Sequence, residues 1–324
     1  MKSLKLIVPI VLCIVLSSVF LGCQGGGTTA SNTAQLGAEA TEKTVSIPDK
    51  PFYVLVVGND SRTGTTEISL PQYADGSARS DTMILMRIDP KTYQITLVTI
   101  PRDTESTVNG NPGRKINDAY HEMGIDGAVN AVEELTGVTV TYYFDMGFVE
   151  FEKFIDALGG VTADVPIDMS LKDVVGGDMV TLDAGTQPIN GPEALVLARV
   201  RKQYADDQDA CRQIQDRQIV EVAISQIAKN SDLVSKGVNA LLANADTNWK
   251  KDELTALVTD FATHANQVTF ISGTGPYKGY IFEEYEAQWL VPRDEASWHE
   301  VMQVVDAGGD PSSVIALPEV KAAS

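Results

Sequence analysis

The sequence predicts an α/β protein built on a layered sheet of mixed strand direction, and three observations carry that expectation. A continuous apolar run, Phe52 to Val57, reads as a strand buried on both faces, as in a sheet covered by helices. Two further apolar runs, Met83 to Ile88 and Ile95 to Ile100, flank the turn signal Asp89-Pro90-Lys91-Thr92 and read as an antiparallel hairpin. Segments of helical spacing then alternate with strand-like ones along the following chain.

In chain order, Lys2 and Lys5 precede an apolar run from Leu6 to Leu21 that ends in small residues before Cys23, which is the layout of a bacterial export signal. The Leu21-Gly22-Cys23 ending is similar to a lipoprotein lipobox, with Cys23 as the lipid-bearing residue and Phe20 where leucine is usual. An uncleaved signal anchor is the alternative, for which the run is slightly short of the roughly 20 residues a spanning helix needs. Residues 24–46 are rich in Gly, Thr, Ala and Ser and read as a flexible tether. A folded domain is expected over residues 47–312, with a frayed tail at 313–324.

The strand at Phe52 ends at Gly58, and the polar string Asn59-Asp60-Ser61-Arg62 follows it, where α/β sheets usually place a site. Residues 63–78 read as a loop before the hairpin. If the hairpin is centred on Lys91, paired positions sum to about 182, which sets Asp81 opposite Pro101 and beside Arg102. Residues 126–137 have apolar positions at helical spacing closed by Gly137. A strand over 139–146, an amphipathic helix from Phe148 to Leu158, and an edge strand beginning at Val161 and limited by Pro166 come next. A turn-rich stretch spans 181–190, Gly191-Pro192-Glu193 opens a short helix through Arg199, and a long helix covers Asp209 to Lys229. A helix at 252–263 and a strand at 267–272 complete the same domain.

The 44% hydrophobic content can bury a large core, and a formal net charge of −19 argues against nucleic acid as partner, because phosphate backbones are held by basic surfaces. An acidic protein that binds phosphate must instead concentrate its arginines locally. Four groups do so: Asp60 with Arg62, Arg79 with Asp81, Arg102 with Asp103, and Arg199 with Arg201. Carboxylates from two strand ends suit a magnesium ion, and guanidinium groups suit phosphate oxygens through paired hydrogen bonds. Ordinary surface ion pairs worth under about 1 kcal/mol are the plainer reading of the same residues. Of the cysteines, Cys13 lies in the signal, and Cys211 reads as a packed small residue with no histidine near it in sequence. His121 reads as a surface or supporting residue.

The stretches "VVGNDSR", "RSDTMILMRIDPKTYQITLVTIPRDT", "KINDAYHEMG", "YYFDMGFVEFEKFIDALGGVTADVP" and "LDAGTQPINGPEALVLARVR" occur in that order between residues 53 and 227. Together they resemble the LytR-CpsA-Psr family of bacterial cell-envelope proteins. The resemblance implies a three-layer αβα sandwich with a central mixed sheet and an apolar lipid-binding pocket. It implies transfer of a glycopolymer, such as a teichoic acid or capsular polysaccharide, from a polyprenyl-pyrophosphate carrier to peptidoglycan, with Mg2+ (or Mn2+) as cofactor. The implied metal ligands are Asp60 and Asp81. Arg79, Arg102, Arg199 and Arg201 would hold the pyrophosphate, with Arg62 beside them and Asp103 orienting Arg102. Lys115 and Asn117 match a motif near the site mouth, or else shape the loop before a helix. After Arg201 the chain departs from the family pattern. Asp209 and Arg212 keep an Asp-x-x-Arg spacing, and counting without gaps selects Gln215 as the orienting glutamine beside Asp209 as base. The other readings of these residues are a regulatory envelope protein that binds polyprenyl phosphates without transfer, and a lipid pyrophosphate hydrolase.

Overall fold

The computed structural model describes residues 45–73 and 77–323; the export signal, Cys23 and the tether up to residue 44 lie outside them. Five strands form the central sheet: β1 (Phe52–Asn59), β2 (Ser80–Asp89), β3 (Gln94–Thr99), β6 (Val140–Met146) and β11 (Thr269–Thr274), in the order β11-β3-β2-β1-β6. β2 runs antiparallel to both of its neighbours, β1 and β3, while β6 runs parallel to β1 and β11 parallel to β3. The sheet is therefore mixed. Pairing of β11 to β3 also builds the C-terminal third into the same sheet.

Period-2 alternation sends neighbouring side chains of β1 to opposite faces. Tyr53, Leu55 and Val57 pack with α1 (Asn117–Thr136) and α7 (Glu295–Asp306) through Val132, Leu135, Trp298 and Val301. Phe52 and Val54 pack on the other face with Trp249 and with Val238, Leu254 and Phe261 of α5 (Ser231–Asn244) and α6 (Lys251–Thr263). A third apolar cluster joins α2 (Phe148–Leu158), α3 (Gly191–Arg199) and α4 (Gln208–Lys229) to the small sheet of β7 (Val161–Val165) and β10 (Gly185–Ile189). Helices α1 and α7, the central sheet, and helices α5 and α6 are the three layers of an αβα sandwich.

Local chemistry accounts for most boundaries. Asn190 caps α3 by accepting from the Glu193 amide, and the Glu193 carboxylate accepts from the Asn190 amide, a reciprocal capping box with Pro192 in the first turn. α1 ends on Gly137 at φ 73°, a left-handed stop that glycine adopts without steric cost.

The structure corrects several expectations. In the hairpin Ile84 faces Thr99, so paired positions sum to 183 rather than 182, because Tyr93 adds a left-handed residue (φ 56°) to the connection. α1 starts at Asn117 rather than near residue 126, with a break at Gly124. The turn-rich stretch 181–190 contains β10 and the end of β9 (Met179–Leu182), which pairs with β8 (Met169–Lys172). β4 (Glu105–Val108) with β5 (Asn111–Lys115), β12 (Tyr280–Phe282) with β13 (Gln288–Leu290), α5 and α7 have no counterpart in the sequence reading. The tail expected to fray is held: the amide of Ala205 donates to Lys321 O at 2.9 Å and that of Ala323 to Gln203 O at 2.8 Å.

Candidate active site

The sheet ends and the adjoining helices converge on one cavity of about 230 Å³. Its interior wall is apolar, with Val56, Ile84, Phe151, Phe154, Ile219 and Ala223 among the lining. Its other end carries five guanidinium groups, those of Arg62, Arg102, Arg199, Arg201 and Arg212, with the carboxylates of Asp81 and Asp216. A second, wholly apolar cavity of about 160 Å³ shares Val56, Met146, Phe154, Val220 and Ala223 with the first and continues toward Trp249 and Phe261. The two cavities thus share walls where the guanidinium-bearing lining gives way to the apolar layer between sheet and helices.

Each charged side chain has a structural reason for its position. β1 ends at Asn59, and Asp60 is fixed by exchanging hydrogen bonds with Arg79: its amide donates to Arg79 O at 3.0 Å, and its Oδ1 accepts from the Arg79 amide at 2.7 Å. Burial pushes the Asp60 carboxyl above the ordinary aspartate range; the Arg79 amide opposes this, and the charge of Asp81 adds to it. The two carboxylates therefore influence each other's charge. Asp81 Oδ1 pairs with Arg102 Nη1 at 2.8 Å. Asp60 Oδ2 lies 4.0 Å from Arg62 Nη1, and Asp60 stands at the end of β1 just outside the cavity lining, so Asp60 and Asp81 offer two carboxylates of the kind magnesium takes together with phosphate oxygens and water.

The Phe148 ring is close to two cations: Arg62 Cζ is 4.8 Å from its centroid and Arg199 Cζ is 5.0 Å. Arg62 is further held by Tyr73 and Glu67. Burial, and then the like charge of Arg62, lower the pKa of Arg199. Two largely desolvated cations gathered at one ring are relieved by an anion beside them.

Behind the mouth, α4 contributes Asp209, Arg212, Gln213 and Asp216, whose three- and four-residue spacing puts them on one helix face. Arg212 is buried and reaches Asp216 Oδ2 at 2.5 Å, Thr82 Oγ1 at 3.0 Å, Asp81 O at 2.9 Å and Asp209 Oδ1 at 3.2 Å. Asp209 Oδ1 also lies 3.5 Å from both Arg102 Nε and Arg201 Nη1. Although burial opposes it, the charges of Arg212 and Arg102 hold Asp209 below the ordinary aspartate range. Asp209 is thus the carboxylate that orders three guanidinium groups.

Other expected site residues fall elsewhere. Gln215 is buried with its amide oxygen toward Gln218, whose amide group bonds the backbone at Asp164 of β7. The glutamine against Asp209 is Gln213, at 2.8 Å. Arg79 is half-exposed, paired to Asp118 at 3.1 Å, and absent from the cavity lining. Asp103 pairs with Lys115 at 2.6 Å, and the Asn117 amide donates to Arg102 O at 3.3 Å, so Lys115 and Asn117 brace the Arg102-Asp103 corner. Cys211 is fully buried, as expected, and burial pushes its thiol up to about 11. Arg212, Asp216, Thr82 and Phe148 are the site residues that the sequence reading did not assign. Helical spacing from Asp209 was the signal available for the two on α4.

Glu152 lies behind Arg199. Burial pushes its carboxyl up to about 8, and a hydrogen bond and charge from Asp173 add to the rise. A folded-state pKa raised from 4.5 means a stability contribution that is present below about pH 4.5 and fades as pH climbs through about 8. Thermal melts of Glu152→Gln across that window should fall less steeply with pH than those of the parent chain. Equal slopes would show that Glu152 does not titrate against folding.

Sheet, cavity and guanidinium cluster define an α/β protein whose arginines gather at the edge of an apolar cavity. The chain belongs to the LytR_cpsA_psr family, whose model matches residues 19–297. It is 32% identical over 221 residues, 67% of this chain and 66% of the relative, to the polyisoprenyl-teichoic acid–peptidoglycan teichoic acid transferase TagU of Bacillus cereus. To the transferase TagV of Bacillus subtilis it is 28% identical over 275 residues, 76% of this chain and 70% of that one. The matched region therefore spans about two thirds of these relatives. The fold is shared with the crystal structure of B. subtilis TagV (TM-score 0.66, 24% identity, 84% of this chain and 100% of that one). It is also shared with TagT bound to LI-WTA (TM-score 0.60, 24% identity, 80% and 91%).

Proposed function

We propose that this protein is a magnesium-dependent phosphotransferase that moves a glycopolymer from a polyprenyl-pyrophosphate carrier to peptidoglycan. The observation that carries the reading is a pair of cavities with shared walls, one lined by five guanidinium groups and the other by apolar side chains alone. That distribution is the negative image of an amphiphile with a multiply charged anionic head. The names of the TagU and TagV relatives, teichoic acid transferases, supply the reaction class.

In this reading the polyprenyl chain lies along Phe154, Ala223 and Phe261, and the pyrophosphate contacts Arg62, Arg102, Arg199, Arg201 and Arg212. Asp60 and Asp81 hold magnesium (or manganese), which when bound neutralises charge on the pyrophosphate oxygens. A peptidoglycan hydroxyl attacks the sugar-side phosphorus; an O–P bond forms, the bond to the bridging oxygen breaks, and polyprenyl phosphate leaves with the electron pair. The hydroxyl proton passes to Asp209, which stands on the outer side of Arg102 and Arg201. A weak base suffices where the transition state is loose and positioning supplies most of the rate. The export signal with Cys23 as lipid anchor would keep the protein at the outer face of the membrane that carries its donor. No helix among the described residues is long and apolar enough to cross a membrane.

The test is reconstitution with a synthetic polyprenyl-pyrophosphate oligosaccharide and peptidoglycan fragments, read by mass spectrometry. A phosphodiester-linked glycan and free polyprenyl phosphate should form and should disappear when magnesium is chelated. Ala223→Phe, which fills the junction of the two cavities, should weaken polyprenyl phosphate binding at least about tenfold. Tight lipid binding with neither product would replace transfer by carrier sequestration, and product release with water alone would indicate a hydrolase.

A further inference from the structure

A groove of about 500 Å³ opens on the other side of Arg102 and Arg201, which line both it and the cationic cavity. Asp209 forms its inner end, and Lys202, Asp207 and Gln208 supply polar groups along it. Its far side is the indole of Trp289 on β13. This ring is 42% exposed, whereas Trp249 and Trp298 are buried at 5% and 1%.

The indole is held in place from several sides. It packs closely against Gly279, where an added Cβ would sit 2.5 Å from Cζ2 and 2.7 Å from Cη2. On the same hairpin Tyr280 stacks on Phe282 at 4.5 Å, and Phe282 on Tyr285 at 6.0 Å. Just past β13, the Val291 amide donates to Asp103 O at 2.9 Å, and Val291 O accepts from the Glu105 amide at 2.8 Å. The strand bearing Trp289 is therefore locked in register to the residue after Arg102. Lys278 bridges to Asp207, tying the hairpin to the start of α4.

We propose that this groove is a saccharide subsite for the acceptor glycan, in which a pyranose ring stacks its C–H face on Trp289 and its hydroxyls meet Gln208, Asp207 and Lys202. A fixed, open aromatic face beside charged and amide groups suits a ligand with one apolar face and a polar rim. A lipid tail would leave the polar groups of Lys202 and Gln208 without partners, and the cations Arg102, Arg201, Lys202 and Lys278 nearly balance Asp103, Asp207 and Asp209, which suits a ligand of low net charge. The acceptor is assigned here, resting on the transferase reading, because an in-line displacement brings the nucleophile from the side opposite the leaving group. Polyprenyl phosphate leaves toward the apolar cavity, and the groove lies across Arg102 and Arg201 from it.

The probe is a soluble glycan strand of alternating N-acetylglucosamine and N-acetylmuramic acid, titrated into the full chain in detergent while indole fluorescence and calorimetric heat are followed. Binding should shift emission from Trp289. Trp289→Ala should weaken it about tenfold and raise the acceptor KM with kcat little changed, leaving polyprenyl phosphate affinity as in the parent. Trp289→Phe should restore most of the affinity, and Gly279→Val, which displaces the ring, should repeat the loss. Circular dichroism checks that each variant is folded. Glycan binding that depends on Trp289 in a chain showing no transfer would sink the transferase reading and leave the saccharide site standing. Unchanged acceptor KM and glycan affinity in both Trp289→Ala and Gly279→Val would overturn the proposal, as would a loss confined to the lipid-linked donor.

Discussion

Arg102→Ala is expected to lower the rate of glycan transfer by about a thousandfold or more while leaving the chain folded and able to bind polyprenyl phosphate. Arg102 sits at the wall between the two cavities, with Asp81 at 2.8 Å, Asp209 at 3.5 Å and Asp103 at 3.9 Å around it. Although burial opposes it, the charges of Asp209 and Asp81 raise its pKa further, so it stays protonated throughout the working range. A guanidinium fixed by three carboxylates is pre-oriented, and charge aimed at a transferring phosphoryl group acts without reorganisation during the reaction. Its removal also leaves Asp81 and Asp209 facing the substrate without their cation, which adds repulsion to the lost attraction. Arg102→Lys should recover only part of the rate, because an ammonium cannot reproduce the planar fork. Single-turnover rates with saturating donor separate the outcomes: a rate within tenfold of the parent, coupled to weakened lipid binding, would mean that Arg102 only holds the carrier.

The centre of the sheet was legible because β1, β2 and β3 are mostly buried and carry apolar runs, and the hairpin because its turn is chemically marked. The register error of one residue came from Tyr93, whose left-handed backbone nothing in a tyrosine side chain announces. β12 and β13 are three residues each and carry no periodicity long enough to detect. The cationic residues of the site were legible as motif members at strand and helix ends, yet their partition was not. Arg79 and Arg102 look alike in sequence, but one turns outward to Asp118 and the other inward to Asp81. The choice of Gln215 over Gln213 was an error of geometry. Residues 209 and 213 are one helical turn apart and share a face, while 215 lies further round the helix, toward β7. Asp216 was invisible as a site residue until α4 was placed across the open end of β2, where Thr82 donates to its Oδ2 at 2.8 Å.

The second large effect is on stability. Arg212→Ala should destabilise the fold by about 3–5 kcal/mol, because it strands a buried carboxylate. Asp216 loses its 2.5 Å partner, and Thr82 loses a donor at 3.0 Å. Burial already pushes Asp216 up to about 6, even with Arg212 in place. Without the guanidinium its carboxyl must either take up a proton or remain an uncompensated charge beside the apolar cavity. A melting temperature lower by roughly 10 °C is the expected reading for a domain of this size. The double substitution Arg212→Met with Asp216→Leu tests the cause, since exchanging both partners for apolar groups removes the stranded charge and should restore most of the stability. Transfer should not return with it, because Arg212 also donates to Asp81 O at 2.9 Å and to Asp209 Oδ1 at 3.2 Å. Those two bonds connect the base of the cluster to the Asp81 backbone and to the carboxylate that orders Arg102 and Arg201. If the double variant were both stable and fully active, Arg212 would be a tie for Asp216 alone and the cluster would organise its arginines by other contacts.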